Sequence, residues 1–100
     1  MDGNYIINED KEYIAGTYAR FPVAFKEGKG CRLYDYDGKE YVDFGSGIAV
    51  DIFGINDEEW KSAVIEQLNK VQHTSNLFFT EPQARLAKLL CERTGASKGF

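Results

Sequence analysis

Histidine and cysteine are almost absent from this chain of 100 residues, which holds one His and two Cys. A zinc centre needs three or four converging ligands. His73 stands alone, and Cys31 and Cys91 lie far from it without pair spacing, so no metal site is expected. Two isolated cysteines are expected to be reduced thiols of a cytoplasmic protein rather than a disulfide framework. Long apolar runs are missing too. None approaches the roughly 18 residues of a membrane span, so no membrane partner is expected. Positive charge is scarce: the net charge is -4, and Lys26, Lys29 and Arg32 are scattered over one hairpin like a solvated face. A nucleic-acid partner is therefore not expected. The opening "MDGNYIINEDKEY" is acidic and polar, and is not expected to be a leader.

Familiar catalytic spacings are lacking as well. Gly45-Ser46-Gly47 has neither the spacing of a nucleophile elbow nor the third glycine of a dinucleotide loop, and reads as a bend. Asp35, Asp37, Asp43 and Asp51 read as strand-end and turn residues. What is abundant is aromatic surface, with seven Phe, six Tyr and one Trp. A chain this short buries roughly two-thirds of its unfolded surface. So many rings want a larger core, and the chain is expected to be part of something bigger.

Periodicity gives the elements. Asn8 to about Ala19 predicts a short helix capped by Asn8, with Glu9 and Asp10 at its positive end and Gly16 against it. Phe21 is held extended by Pro22. From Val23 to Phe44 the period is two. This predicts an antiparallel meander with turns at Gly28-Lys29-Gly30 and Asp37-Gly38. Leu33, Tyr41 and Val42 are expected on its buried face, with Arg32, Asp35, Lys39 and Glu40 in water. Asn56 is expected to cap a second helix, with Asp57, Glu58 and Glu59 in its first turn. Trp60, Ala63, Val64, Leu68 and Val71 fall on one face of it. Thr80 and Gln83 have the spacing of a capping box for a third helix, which Gly95 ends in a left-handed cap.

The connection "HTSNLFFTEPQ" carries two adjacent rings where polar residues would suffice. His73 reads as a residue near a helix C-terminus. Phe79, just before the cap, has the spacing of a hydrophobic staple with Ala84.

Two stretches, "YARFPVAFKEGKGCRLYDYDGKEYVDFGSGIAV" and "HTSNLFFTEPQARLAKLL", resemble the N-terminal part of the class III aminotransferases. The specific parts are R-x-P-V, L-Y-D-x-D-G-K, D-F-x-x-G-I-A-V and S-N-L-F-x-T-E-P-Q, the last characteristic of the acetylornithine branch. The family's Gly-His-x-His-Pro is replaced here by Gly54-Ile55-Asn56-Asp57-Glu58. The resemblance implies an α/β fold, the N-terminal portion of a fold-type-I transferase. In these 100 residues alone that is an α+β arrangement of a short helix, a meander and two further helices. Residues 1–75 would belong to the small domain and 76–100 would open the large one. It implies pyridoxal 5'-phosphate as cofactor, with every cofactor-binding and catalytic residue beyond Phe100. It implies an amino donor and a 2-oxo acid as substrates, and a homodimer. Position by position, Ile48 and Phe79 match residues bordering the substrate, Gly47 keeps that wall slim, and Asn76 is placed to be a polar group in it. Phe78 is expected in a core or subunit interface. Two functions remain open: a transaminase acting on N-acetylornithine, ornithine, succinylornithine or 4-aminobutyrate, and a non-catalytic folding or dimer-interface module.

Overall fold

The structure, a computed structural model, describes residues 2–100. The elements in order are α1 (Gly3–Tyr13), β1 (Phe25–Lys29), β2 (Arg32–Asp35), β3 (Glu40–Val42), α2 (Ser46–Ala49), α3 (Glu58–Leu68) and α4 (Glu81–Thr94). They fall into two compact units, the first ending at Val64 and the second running Ile65–Phe100.

In the first unit α1 begins five residues earlier than the sequence predicts. Two residues compete for the cap, and Asp2 wins because its Oδ1 accepts from the N–H of Tyr5 at 2.8 Å. Asn8 lies inside the helix. Ile14 turns extended as its N–H closes on the Asp10 carbonyl, so the helix stops before Gly16. Phe21 is followed by a three-residue turn through Pro22, in which the Val23 N–H reaches the Phe21 carbonyl at 2.8 Å.

The meander is a three-stranded antiparallel sheet in the order β1-β2-β3. Its first reversal sits one step later than expected. Lys29 pairs with Arg32, leaving Gly30 and Cys31 to turn. Gly30, at φ 60°, takes the left-handed conformation that glycine tolerates. Gly28 is a strand residue, and it is glycine because of crowding. A Cβ there would lie 2.7 Å from the Arg32 carbonyl, 2.8 Å from Leu33 Cδ2 and 2.9 Å from Ile55 Cγ2. Ile55 reaches the hairpin by a two-way backbone bridge to Gly30, both bonds 2.8 Å. One extra residue in β1, between Phe25 and Glu27, makes a bulge.

The Asp37-Gly38 turn forms where the sequence puts it, with Gly38 at φ 81°. Asp35 organises it, so that residue is less wet than expected: it is half-buried, as are Leu33 and Tyr41, whereas Val42 is exposed. Phe25 meets Tyr41 edge to face at 5.4 Å between centroids.

Between β3 and α3 the cap also differs from expectation. Asp57, not Asn56, caps α3, its Oδ2 accepting from the Trp60 N–H at 2.8 Å. Asn56 instead takes φ 58° and accepts from Lys61 Nζ at 2.7 Å.

In the second unit α4 starts after Thr80 and ends at a left-handed Gly95 (φ 78°), as expected. The capping box does not form, because the Thr80 hydroxyl makes no cap hydrogen bond. Among the described residues no side chain is buried; the apolar faces of α3 and α4, from Trp60 to Leu90, are exposed.

Candidate functional site

The residues singled out by the sequence lie in two places, Gly47 and Ile48 in the first unit and Asn76 and Phe79 in the second. "GSGIA" is more than a bend. Ser46, Gly47, Ile48 and Ala49 have φ of 49°, 61°, 64° and 60°, a full turn of left-handed helix. Its bonds run from the N–H of Ala49 to the Gly45 carbonyl and from those of Val50 and Asp51 to the Ser46 carbonyl, each 2.9 Å. L-residues pay about 1–2 kcal/mol each in this conformation, and a β-branched one is a marked outlier. Such backbone persists only where its surroundings over-determine it, and it gathers at functional sites. The turn leaves Ile48 94% exposed. Gly47 has little room, since a Cβ would stand 3.0 Å from Asp51 Oδ2.

In the second unit Gln67 closes the end of α3. Its Nε2 donates to the Val71 carbonyl at 2.7 Å, and its own carbonyl accepts from the N–H groups of Lys70 and Val71 at 3.0 Å. His73 therefore stands in the loop, beyond the last turn of the helix. Ser75 sits at φ 60°, and its Oγ accepts from the Leu77 N–H at 3.1 Å. This folded loop and the start of α4 line an open cavity of about 350 Å³, bordered by Gln67, His73, Thr74, Asn76, Thr80 and Gln83, among others.

Asn76 lies in the lining of this cavity. Phe79 does not line that cavity and is 106% exposed. It makes no staple with Ala84: nothing covers the ring. Phe78 is 68% exposed and contributes to no core within these residues. Thr74 went unnoticed in the sequence. Its Oγ1 is shielded from water and has no hydrogen-bond partner. Only its place in the ring-bearing connection pointed to it.

Around residues 54–58 the chain has a charge cluster. Lys61 Nζ donates to Glu58 Oε1 at 2.8 Å and to Asn56, and Lys29 lies 4.0 Å from the same carboxylate. The Lys61 hydrogen bond and charge hold the Glu58 carboxyl below its usual range.

Neither of two cavities among the described residues joins a lysine to an unpaired guanidinium that could take a phosphate. The loop cavity has no lysine in its lining. A second cavity, of about 380 Å³ between α1 and residues 18–24, has Lys11 and Arg20, but Arg20 is taken by Asp10 at 2.9 Å.

The chain belongs to the class-III aminotransferases, whose family model matches residues 13–100. Enzymes of that family depend on pyridoxal phosphate, and the architecture here is the N-terminal portion of their fold. The acetylornithine aminotransferase of Haemophilus ducreyi is 50% identical over 100 residues, all of this chain and 25% of that protein. The structure of acetylornithine aminotransferase from Elizabethkingia anophelis matches with a TM-score of 0.92 at 26% identity, over 98% of this chain and 26% of its own. Plasmodium falciparum ornithine delta-aminotransferase matches with a TM-score of 0.92 at 28% identity, over the same shares. The chain spans about a quarter of the length of these relatives. No described helix is long and apolar enough to cross a membrane.

Proposed function

We propose that the chain is the N-terminal portion of a pyridoxal-phosphate-dependent aminotransferase that moves an amino group from N-acetylornithine to 2-oxoglutarate in arginine biosynthesis, as a cytoplasmic homodimer. The observation that carries this reading is the 50% identity, over every residue, to an acetylornithine aminotransferase. The "SNLFFTEPQ" stretch supports it. In this reading residues 1–75 belong to the small domain and 76–100 begin the large one. The lysine that bonds the cofactor lies outside these 100 residues, so they do not turn over alone. The cofactor supplies the electron sink for chemistry at the amino-bearing carbon.

This chain's residues do something different: they shape the space beyond the reacting centre. In the first unit Ile48 presents bare apolar surface that the far end of the donor can meet, with Gly47 keeping that wall thin; in the second, Phe79 presents a bare ring of its own, with Asn76 as a nearby polar group. Rigid apolar surface with a few convergent polar groups is what a small-molecule site needs. A second donor, ornithine, is favoured by one observation, the structural match to an ornithine aminotransferase.

The full-length enzyme, assayed with 2-oxoglutarate, separates the two. N-acetylornithine is expected to exceed ornithine by at least about tenfold in kcat/KM, and Phe79→Ala to lower that value about tenfold while sparing the half-reaction with 2-oxoglutarate. A preference for ornithine overturns the donor. Equal losses in both half-reactions, with a large fall in melting temperature, return Phe79 to a structural part.

A further inference from the structure

The left-handed turn at Ser46–Ala49 is not repaid by packing within its own unit. Ile48, its most strained residue, is almost fully exposed. A connection that needed only to bend would use glycine at 48 and 49, where φ is 64° and 60°. The chain has glycine at 45 and 47 and places a β-branched residue between two other positive-φ positions. Something must hold the backbone there, and the nearest anchor is Asp43.

Asp43 Oδ1 accepts from the N–H groups of Gly45 and Ser46, each at 3.0 Å. The Asp43 N–H in turn donates to the Cys31 carbonyl at 2.7 Å, at the tip of the β1–β2 hairpin. The Asp43 backbone is therefore tied to the hairpin, and its carboxylate oxygen Oδ1 to the first two amides of the turn. The far end is closed by the Asp51 N–H on the Ser46 carbonyl at 2.9 Å and by the Gly54 N–H on the Asp51 carbonyl at 3.0 Å.

We infer that Asp43 is a positioning residue for donor selectivity: through Gly45 and Ser46 its carboxylate fixes the left-handed turn, and so the reach of Ile48 toward the far end of an acylated amino donor. The inference rests on the reading of Ile48 as substrate wall. Asp43 itself touches only the backbone. Its loss lets the turn relax toward ordinary right-handed or extended backbone and swings Ile48 away. On that reading the donor without the acyl group is expected to feel less of this change.

The test uses the full-length enzyme and the ratio of kcat/KM for N-acetylornithine to that for ornithine. Asp43→Ala is expected to lower the ratio about tenfold, in step with Ile48→Ala, whereas Asp43→Asn, which keeps an oxygen acceptor, stays within about twofold of the parent. A merely structural Asp43 would lower both donors equally and leave the ratio unchanged; that result overturns the inference. A ratio moved by Ile48→Ala but not by Asp43→Ala also overturns it, while the wall reading stands. A ratio unmoved by Ile48→Ala removes the wall reading and this inference with it. If Asp43→Ala does not fold, Asp43→Glu displaces the carboxylate by one methylene and disturbs the same two amide bonds. An unchanged ratio in that variant counts equally against the inference.

Discussion

At Asp35 one carboxylate holds a turn together. Oδ1 accepts from the N–H groups of Asp37 and Lys39, both at 2.9 Å, and Oδ2 accepts from the Tyr41 hydroxyl at 3.1 Å. Desolvation pushes the carboxyl upward, but the Lys39, Tyr41 and Asp37 hydrogen bonds and the Lys39 charge outweigh it. The group sits below its ordinary value of 3.8. A carboxyl depressed in the folded state adds stability that is fully present above the unfolded value. That stability is lost as pH falls through the lower folded value. The β2–β3 hairpin is therefore expected to be indifferent to pH from neutrality down to about 3.8 and to loosen only below it. Tyr41→Phe removes one donor and should move the Asp35 midpoint upward, toward 3.8. Carboxyl NMR titration of the two proteins measures this, and coincident midpoints would show that the hydroxyl contributes nothing. Asp43 is the same kind of residue used differently: its two amide bonds hold a strained turn instead of a relaxed one.

Among the elements, the helix starts give the sharpest contrast. The sequence nominates Asn56 and Thr80 as caps, whereas the hydrogen bonds nominate Asp57 and leave Thr80 without one. Asp57→Ala is expected to cost α3 about 1 kcal/mol, and Thr80→Ala to cost α4 only a few tenths. Amide exchange in the first turn of each helix measures both, and equal losses would argue that Thr80 caps after all. The meander and α4 were legible because their signals are local: alternation, Asp37-Gly38, Pro82, Gly95. The start of α1 was not, since Asp2 and Asn8 are both good caps and only the bond to Tyr5 decides. Nor was the bulge in β1, which depends on the partner strand. Within the candidate site, Asn76 stood out because a polar residue beside paired rings is conspicuous. The left-handed turn was hidden, because Ser46, Ile48 and Ala49 are ordinary L-residues and the sign of φ is set by Asp43 and its tie to Cys31. The bareness of Phe79 was equally hidden. A staple and an open wall have the same spacing in the sequence.

For the whole molecule the decisive quantity is surface. The chain exposes 9234 Å², against about 5,700 Å² for a compact monomer of its mass. The excess is apolar in large part: Phe21, Phe44, Ile48, Leu77 and Phe79 are each at least 85% exposed. At about 25 cal/mol per Å², leaving such surface in water forfeits most of what normally offsets chain entropy. Two units with no buried side chain between the ends of the described chain have little to hold a unique state. The 100 residues alone are therefore expected to self-associate or to stay partly ordered, and to bind an apolar dye strongly. They are also expected to give no single lysine labelled stoichiometrically by borohydride in the presence of pyridoxal phosphate, because neither cavity described above joins a lysine to an unpaired guanidinium. Light scattering, dye fluorescence and peptide mass mapping together test this. A compact monomer that melts cooperatively without binding dye would show that these faces need no cover. One quantitatively labelled lysine would show that the cofactor finds a seat within the first quarter of the enzyme. Failure on the first count alone would leave the aminotransferase reading intact. Failure on the second would overturn the assignment of the cofactor lysine to the rest of the chain.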